Sequence, residues 1–306
     1  MNPILEIRHL VKRFDQLLAV DDLSFSVEAG EIFGFLGGNG AGKTTTLRMV
    51  LDILRPTSGD IALFGEAPSR RVASRIGFLP EERGLYSGMS AIETIVYFGR
   101  LKGLDEGLAR RRGLDLLERF ELAERAKSKI GDMSKGMAQK VQLATALVNE
   151  PDLLMLDEPF SGLDPVNQGL LEEEILSASR RGAAVIFSTH VMQHAERLCD
   201  RLLLLRKGRK RFEGTIDEAR AQLPARLSAV AKADLSGLPG VSGATSTPSA
   251  DPEWREWSMQ FAPGFDPAEV LEHCTANGIA LRRWDHHQAS LHDVFVQLVG
   301  PEEIKP

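Results

Sequence analysis

Residues 31–44 read Glu-Ile-Phe-Gly-Phe-Leu-Gly-Gly-Asn-Gly-Ala-Gly-Lys-Thr. The mostly apolar run Glu31–Leu36 has the length of a strand buried in a sheet centre. It leads straight into a glycine-rich turn and a helix expected to begin near Gly42. Gly37–Thr44 match every position of the pattern G-x-x-x-x-G-K-T, in the strand–loop–helix setting that the pattern requires. Small residues let successive backbone N–H groups close around a β-phosphate, and the helix N-terminus adds positive potential. Gly37, Gly38, Asn39, Gly40, Ala41, Gly42, Lys43, Thr44 and Thr45 are therefore the expected phosphate-binding residues. Among them Lys43 reaches the β- and γ-phosphates, and the Thr44 hydroxyl ligates Mg²⁺.

A loop of this kind needs a metal-side acid at the end of a neighbouring buried strand. Leu153-Leu-Met-Leu-Asp-Glu-Pro159 supplies it. Asp157 would hold Mg²⁺ through water, and Glu158 would stand beside the γ-phosphate, placed to polarise an attacking water. Further strand-length apolar runs occur at 75–79, 183–188 and 201–205. Leu23, Phe25 and Val27 alternate with polar residues, as in a half-buried strand. Helical patterns separate most of these runs, which is the order of an α/β fold. Between Ser90 and Val148 the pattern is helical throughout, so a helical subdomain (about 88–148) is expected as an insertion in the α/β core.

The 306 residues suffice for two domains. Hydrophobic residues at 43% and charged residues at 26% describe a globular chain and exclude wholesale disorder. A net charge of −6 argues against a general nucleic-acid binder. Two cysteines, Cys199 and Cys274, are too few for a disulfide scaffold and fit a reducing compartment. No run approaches the roughly 18 apolar residues of a membrane span, and neither end carries a secretion or lipidation pattern. If the chain works at a membrane, another subunit crosses it.

Residues 218–306 hold 7 basic and 12 acidic residues and all three tryptophans. Leu235–Pro252, rich in Gly, Ser and Pro, reads as loop or linker. The expected organisation is one domain over 1–217, with a boundary near Thr215–Leu227, then a linker and a small C-terminal α/β domain over 218–306. In the latter, strand-like Trp254–Phe261 and Ala280–Trp284 flank a helix-like Pro267–Ala276. His286, His287 and His292 with Cys274 match no zinc spacing and are read as surface and core residues.

Over about residues 4–215 the chain resembles the nucleotide-binding subunits of ABC transporters, which have a P-loop NTPase fold. Met133-Ser134-Lys135-Gly136-Met137, followed by Ala-Gln-Lys-Val-Gln-Leu, resembles the ABC signature and its helix. Ser161-Gly-Leu-Asp164 resembles the D-loop, and Ser188-Thr-His190 the switch histidine. Phe14 stands where the family places an aromatic ring against adenine, and Val20 where a small apolar residue packs near the ribose. The resemblance implies ATP and Mg²⁺ as ligands, ATP hydrolysis as the activity, and a homodimer or heterodimer of such subunits. In that dimer Ser134, Lys135, Gly136 and Met137 of one subunit face the γ-phosphate held by the other. His190 would bridge the γ-phosphate, Glu158 and the partner's Asp164, with Ser161 and Asp164 at the seam. Without the resemblance, Ser134 reads as a helix cap and His190 as a satisfied core residue.

Four positions depart from the family's pattern. Gly38 replaces a common proline, Lys135 the usual glycine and Met137 the usual glutamine. Glu81 stands where the family carries a glutamine that contacts Mg²⁺ and water; a carboxylate there either binds Mg²⁺ directly or repels the γ-phosphate. Leu79-Pro-Glu-Glu-Arg-Gly-Leu-Tyr86 resembles a branch of bacterial exporter ATPases, including sodium- and drug-extruding types, that work with separate membrane subunits. Ala289–Val299 resembles the closing helix of the C-terminal extension in that branch.

The implied function is the ATP-hydrolysing subunit of an exporter. It would be cytoplasmic, held on the inner face of the cell membrane by separate transmembrane permease subunits, which Leu85–Ser90 is expected to approach. No nucleic acid is expected as a partner. The alternative is a soluble ABC-type ATPase acting on ribosomes or DNA; the acidic balance and the lack of a second cassette or basic arm disfavour it. A GTPase or kinase sharing only the phosphate loop is opposed by the signature and the Ser161–Asp164 segment.

Overall fold

The structure, a computed structural model, describes residues 3–300 except 83, 225, 263, 264, 267 and 288 and the side chains of 286 and 287. The chain forms two compact units that divide between Glu213 and Gly214. In chain order the first unit opens with β1 (Leu5–Phe14), β2 (Leu17–Val27), β3 (Ile32–Gly37), α1 (Lys43–Val50), β4 (Ser58–Leu63), α2 (Arg70–Ala73) and β5 (Ile76–Leu79). Three helices follow: α3 (Ala91–Leu101), α4 (Glu106–Arg119) and α5 (Lys135–Leu147). The α/β pattern then resumes with β6 (Leu153–Asp157), α6 (Pro165–Arg180), β7 (Ala184–Thr189), α7 (Met192–Leu198), β8 (Arg201–Arg206) and β9 (Arg209–Gly214).

A six-stranded sheet has the order β5-β6-β7-β3-β8-β9, and β2-β1-β4 form a separate antiparallel sheet. The first five strands of the larger sheet are mutually parallel. Every residue of β3, β6 and β7 is buried, as strands covered on both faces must be. Their unbroken apolar runs conceal a period of two. Leu153, Met155, Ala184 and Ile186 enter the core shared with α1 and the three-stranded sheet, whereas Leu154, Leu156, Val185 and Phe187 enter the core shared with α3 to α6. Burying Phe33 and Phe35, both fully enclosed, contributes about 1.5–3 kcal/mol each.

The helical insertion is set by its caps. Ser90 opens α3 in a capping box with Glu93, Asp105 caps α4 and Ser134 caps α5, each satisfying N–H groups that a helix start leaves free. It is not isolated from the sheet, because α5 runs against β5. At their contact Gly77 has no room for a side chain: a Cβ there would lie 2.1 Å from the Ala146 carbonyl oxygen.

The second unit opens with α8 (Ile216–Arg220), capped by Thr215, and continues with β10 (Arg226–Ala231), β11 (Val241–Pro248), β12 (Arg255–Phe261), α9 (Ala268–Ala276), β13 (Leu281–His287) and α10 (Leu291–Val299). Its antiparallel sheet has the order β11-β12-β10-β13. Trp257, Met259, Phe261, Val270 and Cys274 fill its core together with Leu227 and Ala229 of β10. The expected linker at Leu235–Pro252 is corrected, since β11 occupies its centre. That strand is an edge carrying Ser, Thr and Gly with no large apolar face, so its period-two pattern is not audible, and Pro248 ends it on the edge where a missing N–H is tolerated. β10 is a further strand beyond those expected from the sequence, and it is the one that pairs with both β12 and β13.

Among the described residues no helix is long and apolar enough to cross a membrane. Gly77→Ala is expected to lower the unfolding free energy by about 3 kcal/mol through overpacking. The check is the urea midpoint at constant slope; an unmoved midpoint would mean that β5 and α5 separate freely.

Candidate functional site

The C-terminal ends of β3, β6 and β7 reach the same edge of the sheet, because the parallel register pairs Leu36 with Thr189 and Asp157 with Ser188. Reactive loops of an open parallel sheet gather at such an edge. The loop after β3 turns through left-handed Gly40 and Gly42, at φ 77° and 104°. Gly42 also forms the N-cap of α1, and a Cβ on it would meet the Ala19 carbonyl oxygen at 2.6 Å. Only glycine serves there.

A cavity of about 640 Å³ opens over this loop. Gly38 to Thr45 form its floor, Glu81 and Glu158 stand at one part of its wall, and Phe14, Leu17, Leu18, Ala19 and Lys207 at another. Lys43 is buried, and its ammonium donates to the carbonyls of Gly37 at 2.7 Å and Gly38 at 3.3 Å. Lys43 Nζ also lies 3.3 Å from Glu158 Oε1, an oxygen with no hydrogen-bond partner. The other carboxylate oxygen, Oε2, is 2.9 Å from Nδ1 of His190. Glu158 is thus clamped between a cation and an imidazole, on a backbone held at φ 48°. A left-handed conformation at a residue with a side chain is strained and is kept where the surroundings over-determine it.

Ser188 is what over-determines it. Its hydroxyl donates to Asp157 Oδ1 at 2.5 Å and accepts the Glu158 N–H at 2.9 Å. All three residues are buried. Nothing local in Ser188-Thr-His190 marks the serine as an organiser; its partners lie 30 and 31 positions away.

Most residues expected from the sequence converge here. Phe14 lies at the mouth, 41% exposed, with the Lys12 ammonium 4.9 Å from its ring centroid. Glu81 lines the wall. His190 is an exposed residue engaged with Glu158, so the reading of it as a satisfied core residue is set aside. Val20 is a correction. It is fully buried in the core and backs Gly42, while its neighbours Leu18 and Ala19 line the cavity. Placement in a strand did not reveal which neighbour would face in.

The segments 134–137 and 161–164 do not line the cavity. Ser134 and Lys135 are exposed, Ser134 accepting from the Met137 N–H as the cap of α5. Asp164 caps α6, and hydrogen bonds led by the Asn167 backbone N–H hold its carboxyl below the usual range. Both segments are nevertheless tied to the site through α5. Gln139 donates to the Pro159 carbonyl at 2.9 Å, and Gln142 donates to the Glu82 carbonyl at 3.1 Å. His194 of α7 stacks on Phe160 with ring centroids 3.9 Å apart, and burial lowers its pKa from the ordinary value. Cys199 and Cys274 are free thiols whose ionisation burial suppresses.

A sequence model of the family described as ABC transporter matches residues 20–161. The chain is 37% identical over 302 residues to an uncharacterized ABC transporter ATP-binding protein, YhaQ, of Bacillus subtilis, covering 97% of this chain and 99% of that protein. It is 38% identical over 301 residues to Nod factor export ATP-binding protein I of Burkholderia pseudomallei, with 97% of each chain covered. A solved ATP-binding subunit of an ABC transporter superposes with a TM-score of 0.68 at 34% identity, over 72% of this chain and 92% of the other. The cbiO1 subunit from Clostridium perfringens, part of the transporter complex cbiONQ, gives 0.64 at 26% identity over the same shares.

Ser188→Ala would leave the buried Glu158 N–H without an acceptor. The expected cost is about 1–3 kcal/mol of stability, read by chemical unfolding; an unchanged midpoint would remove the serine from its place as organiser.

Proposed function

This chain belongs to the ABC transporter family as an ATP-binding subunit, an ATPase coupled to transport, and from that premise we propose that it drives a separate membrane permease in an exporter. The relatives named for Nod factor export support the direction, since the similarity runs over 97% of this chain and so takes in the second unit. They speak for export in general; sodium or drug extrusion has no counterpart in their names. The comparisons lend no support to a soluble ATPase acting on ribosomes or DNA.

The observation that carries the catalytic reading is the Glu158 carboxylate held between Lys43 and His190 at the wall of the cavity. The Lys43 donors now engage two loop carbonyls. A triphosphate offers charged acceptors, which bind an ammonium more strongly than neutral carbonyls do. Lys43 turning to the β- and γ-phosphates would free Glu158 Oε1 to accept a proton from an attacking water, with His190 orienting the carboxylate from its other oxygen. Phe14 would lie against the base.

The donor set also fits Mg²⁺. Thr44 offers a hydroxyl and Glu81 a carboxylate on the cavity lining, and Asp157, buried outside that lining with one oxygen bonded to Ser188, would hold the ion through water; these are the hard oxygens this ion takes. When bound, the ion would neutralise charge on the phosphoryl oxygens. Because residues 134–137 and 161–164 do not line the cavity of a single chain, a second copy or a related subunit would complete it with Ser134 to Met137, Ser161 and Asp164.

The permease would meet the helical insertion. Tyr86 is 55% exposed and Leu101 63%, and Tyr97 of α3 stands edge-on to Tyr86 with centroids 5.8 Å apart. An apolar aromatic patch open to solvent marks an interaction site. It adjoins the Glu81 loop, so a push there reaches the cavity wall, and the assembly would sit on the cytoplasmic face.

Glu158→Gln is expected to bind ATP, to hydrolyse it about 10²–10⁴-fold more slowly, and to accumulate as an ATP-bound dimer in size-exclusion chromatography. Near-normal turnover would refute the assignment. Changing Tyr86 and Tyr97 together to Ser should leave ATP binding intact but abolish co-purification with a multi-span membrane protein from native membranes; retained co-purification would place the docking surface elsewhere.

A further inference from the structure

The turn between β8 and β9 lies in a basic run, Arg206-Lys-Gly-Arg-Lys-Arg211. Most of its charges have structural work. Arg209 donates to Asp21 at 2.5 Å, and Lys210 donates to the Ser24 carbonyl and to Glu213. Lys207 differs. It lines the cavity over the phosphate loop, and among the described residues no ion pair or hydrogen bond engages its ammonium.

The backbone aims it there. Lys207 and Gly208 form a two-residue turn with φ values of 48° and 77°, the left-handed pair that matches the twist of a hairpin. Such positions favour Asn, Asp or Gly, and a lysine gains nothing from the conformation itself. The turn is also pinned on both flanks. The Gly208 N–H donates to the Ala41 carbonyl at 3.0 Å, and the Gly208 carbonyl accepts the Asp21 N–H at 2.9 Å. Ala41 belongs to the phosphate loop, and Asp21 lies two residues beyond Ala19 of the cavity wall. Lys207 therefore stands between the loop that cradles phosphates and the strand beside the base-end wall, on a turn hydrogen-bonded to both.

Charge points the same way. The cavity is lined by two carboxylates, Glu81 and Glu158, and two ammonium groups, Lys43 and Lys207. Lys43 is paired with Glu158, which leaves Lys207 as the uncommitted cation facing a highly anionic substrate.

We propose that Lys207 is a nucleotide ligand, its ammonium pairing with the α-phosphate and ribose portion that ATP and ADP share. This rests on the reading of the cavity as the ATP site. Its turn is bonded to Ala41 and to Asp21 of β2, while Glu158 is already paired with Lys43, which favours the portion shared by ATP and ADP over the γ-phosphate as its target. Lys207 is itself exposed, so salt screens the pairing.

The test uses the full chain with Lys207→Asn, which suits a left-handed turn and removes the charge, and Lys207→Arg, which keeps it. Calorimetric titrations with ATP and with ADP at low and high salt should show Lys207→Asn weaker for both nucleotides by about 3–10-fold at low salt, the size of a partly exposed charge pairing. The gap should narrow at high salt, Lys207→Arg should stay within about twofold of the native chain, and KM for ATP should rise far more than kcat falls. Unchanged affinities in a folded Lys207→Asn protein overturn the proposal, as does weakening for ATP alone, or an arginine variant as weak as the asparagine one. Failure of the ATP site itself is distinguishable: the native chain would then bind neither nucleotide, and Lys43→Ala would change nothing.

Discussion

The Ser188 hydroxyl joins Asp157 to the Glu158 backbone, and it can do so only because β6 and β7 run parallel with Asp157 opposite Ser188. Slip that pairing by one residue and each side chain of β7 changes face. Ser188 would leave the site, Glu158 would lose the acceptor that holds its left-handed backbone, and Phe187 would leave the core against Phe160. The same parallel register places Leu36 at the level of Thr189, so the phosphate loop, the acidic pair and His190 all stand at one edge. The chemistry of the first unit is a consequence of how three buried strands are aligned.

Electrostatics then balances what the alignment brings together. A carboxylate and an ammonium buried side by side cost less than either alone, since their mutual attraction offsets part of the desolvation penalty that both incur. Lys43 and Glu158 meet that condition at 3.3 Å, and His190 adds a partner for the second oxygen. The arrangement is poised for exchange because one carboxylate oxygen has no hydrogen bond and the lysine holds only neutral carbonyls besides. A triphosphate competes for the lysine and so alters the partners of the glutamate at the same moment.

Helix α5 links that exchange to the rest of the unit. Gln139 and Gln142 lie three residues apart on one face, one bonded to the segment after Glu158 and the other to the loop that carries Glu81. The stacked pair Phe160 and His194 braces the same segment from the side of α7. The aromatic patch around Tyr86 follows, along the chain, the Glu81 loop that Gln142 of α5 holds. The second unit folds around its own tryptophan-bearing core and belongs to the part of the chain that the full-length relatives share.

Much was legible in the sequence because it is written in local chemistry. A loop that must turn through left-handed backbone and admit phosphate needs glycines at set intervals, and buried strands next to acids leave apolar runs of fixed length; both signals are complete within a few residues. So the phosphate loop, Asp157, Glu158, the helical insertion and the α/β class could be read directly. What the tertiary structure alone decided depends on partners far away in the chain. Whether Val20 or Ala19 faces the cavity was settled by packing against Gly42, and whether Leu235–Pro252 is a linker was settled by β12, which gives a polar strand the backbone partners its side chains do not advertise. Ser188 became an organiser through a residue 31 positions away, and Lys207 came to the cavity because Ala41 and Asp21 hold its turn. Local composition specifies which backbone shapes are affordable; only the closed fold specifies which distant groups complete one another's hydrogen bonds and charges.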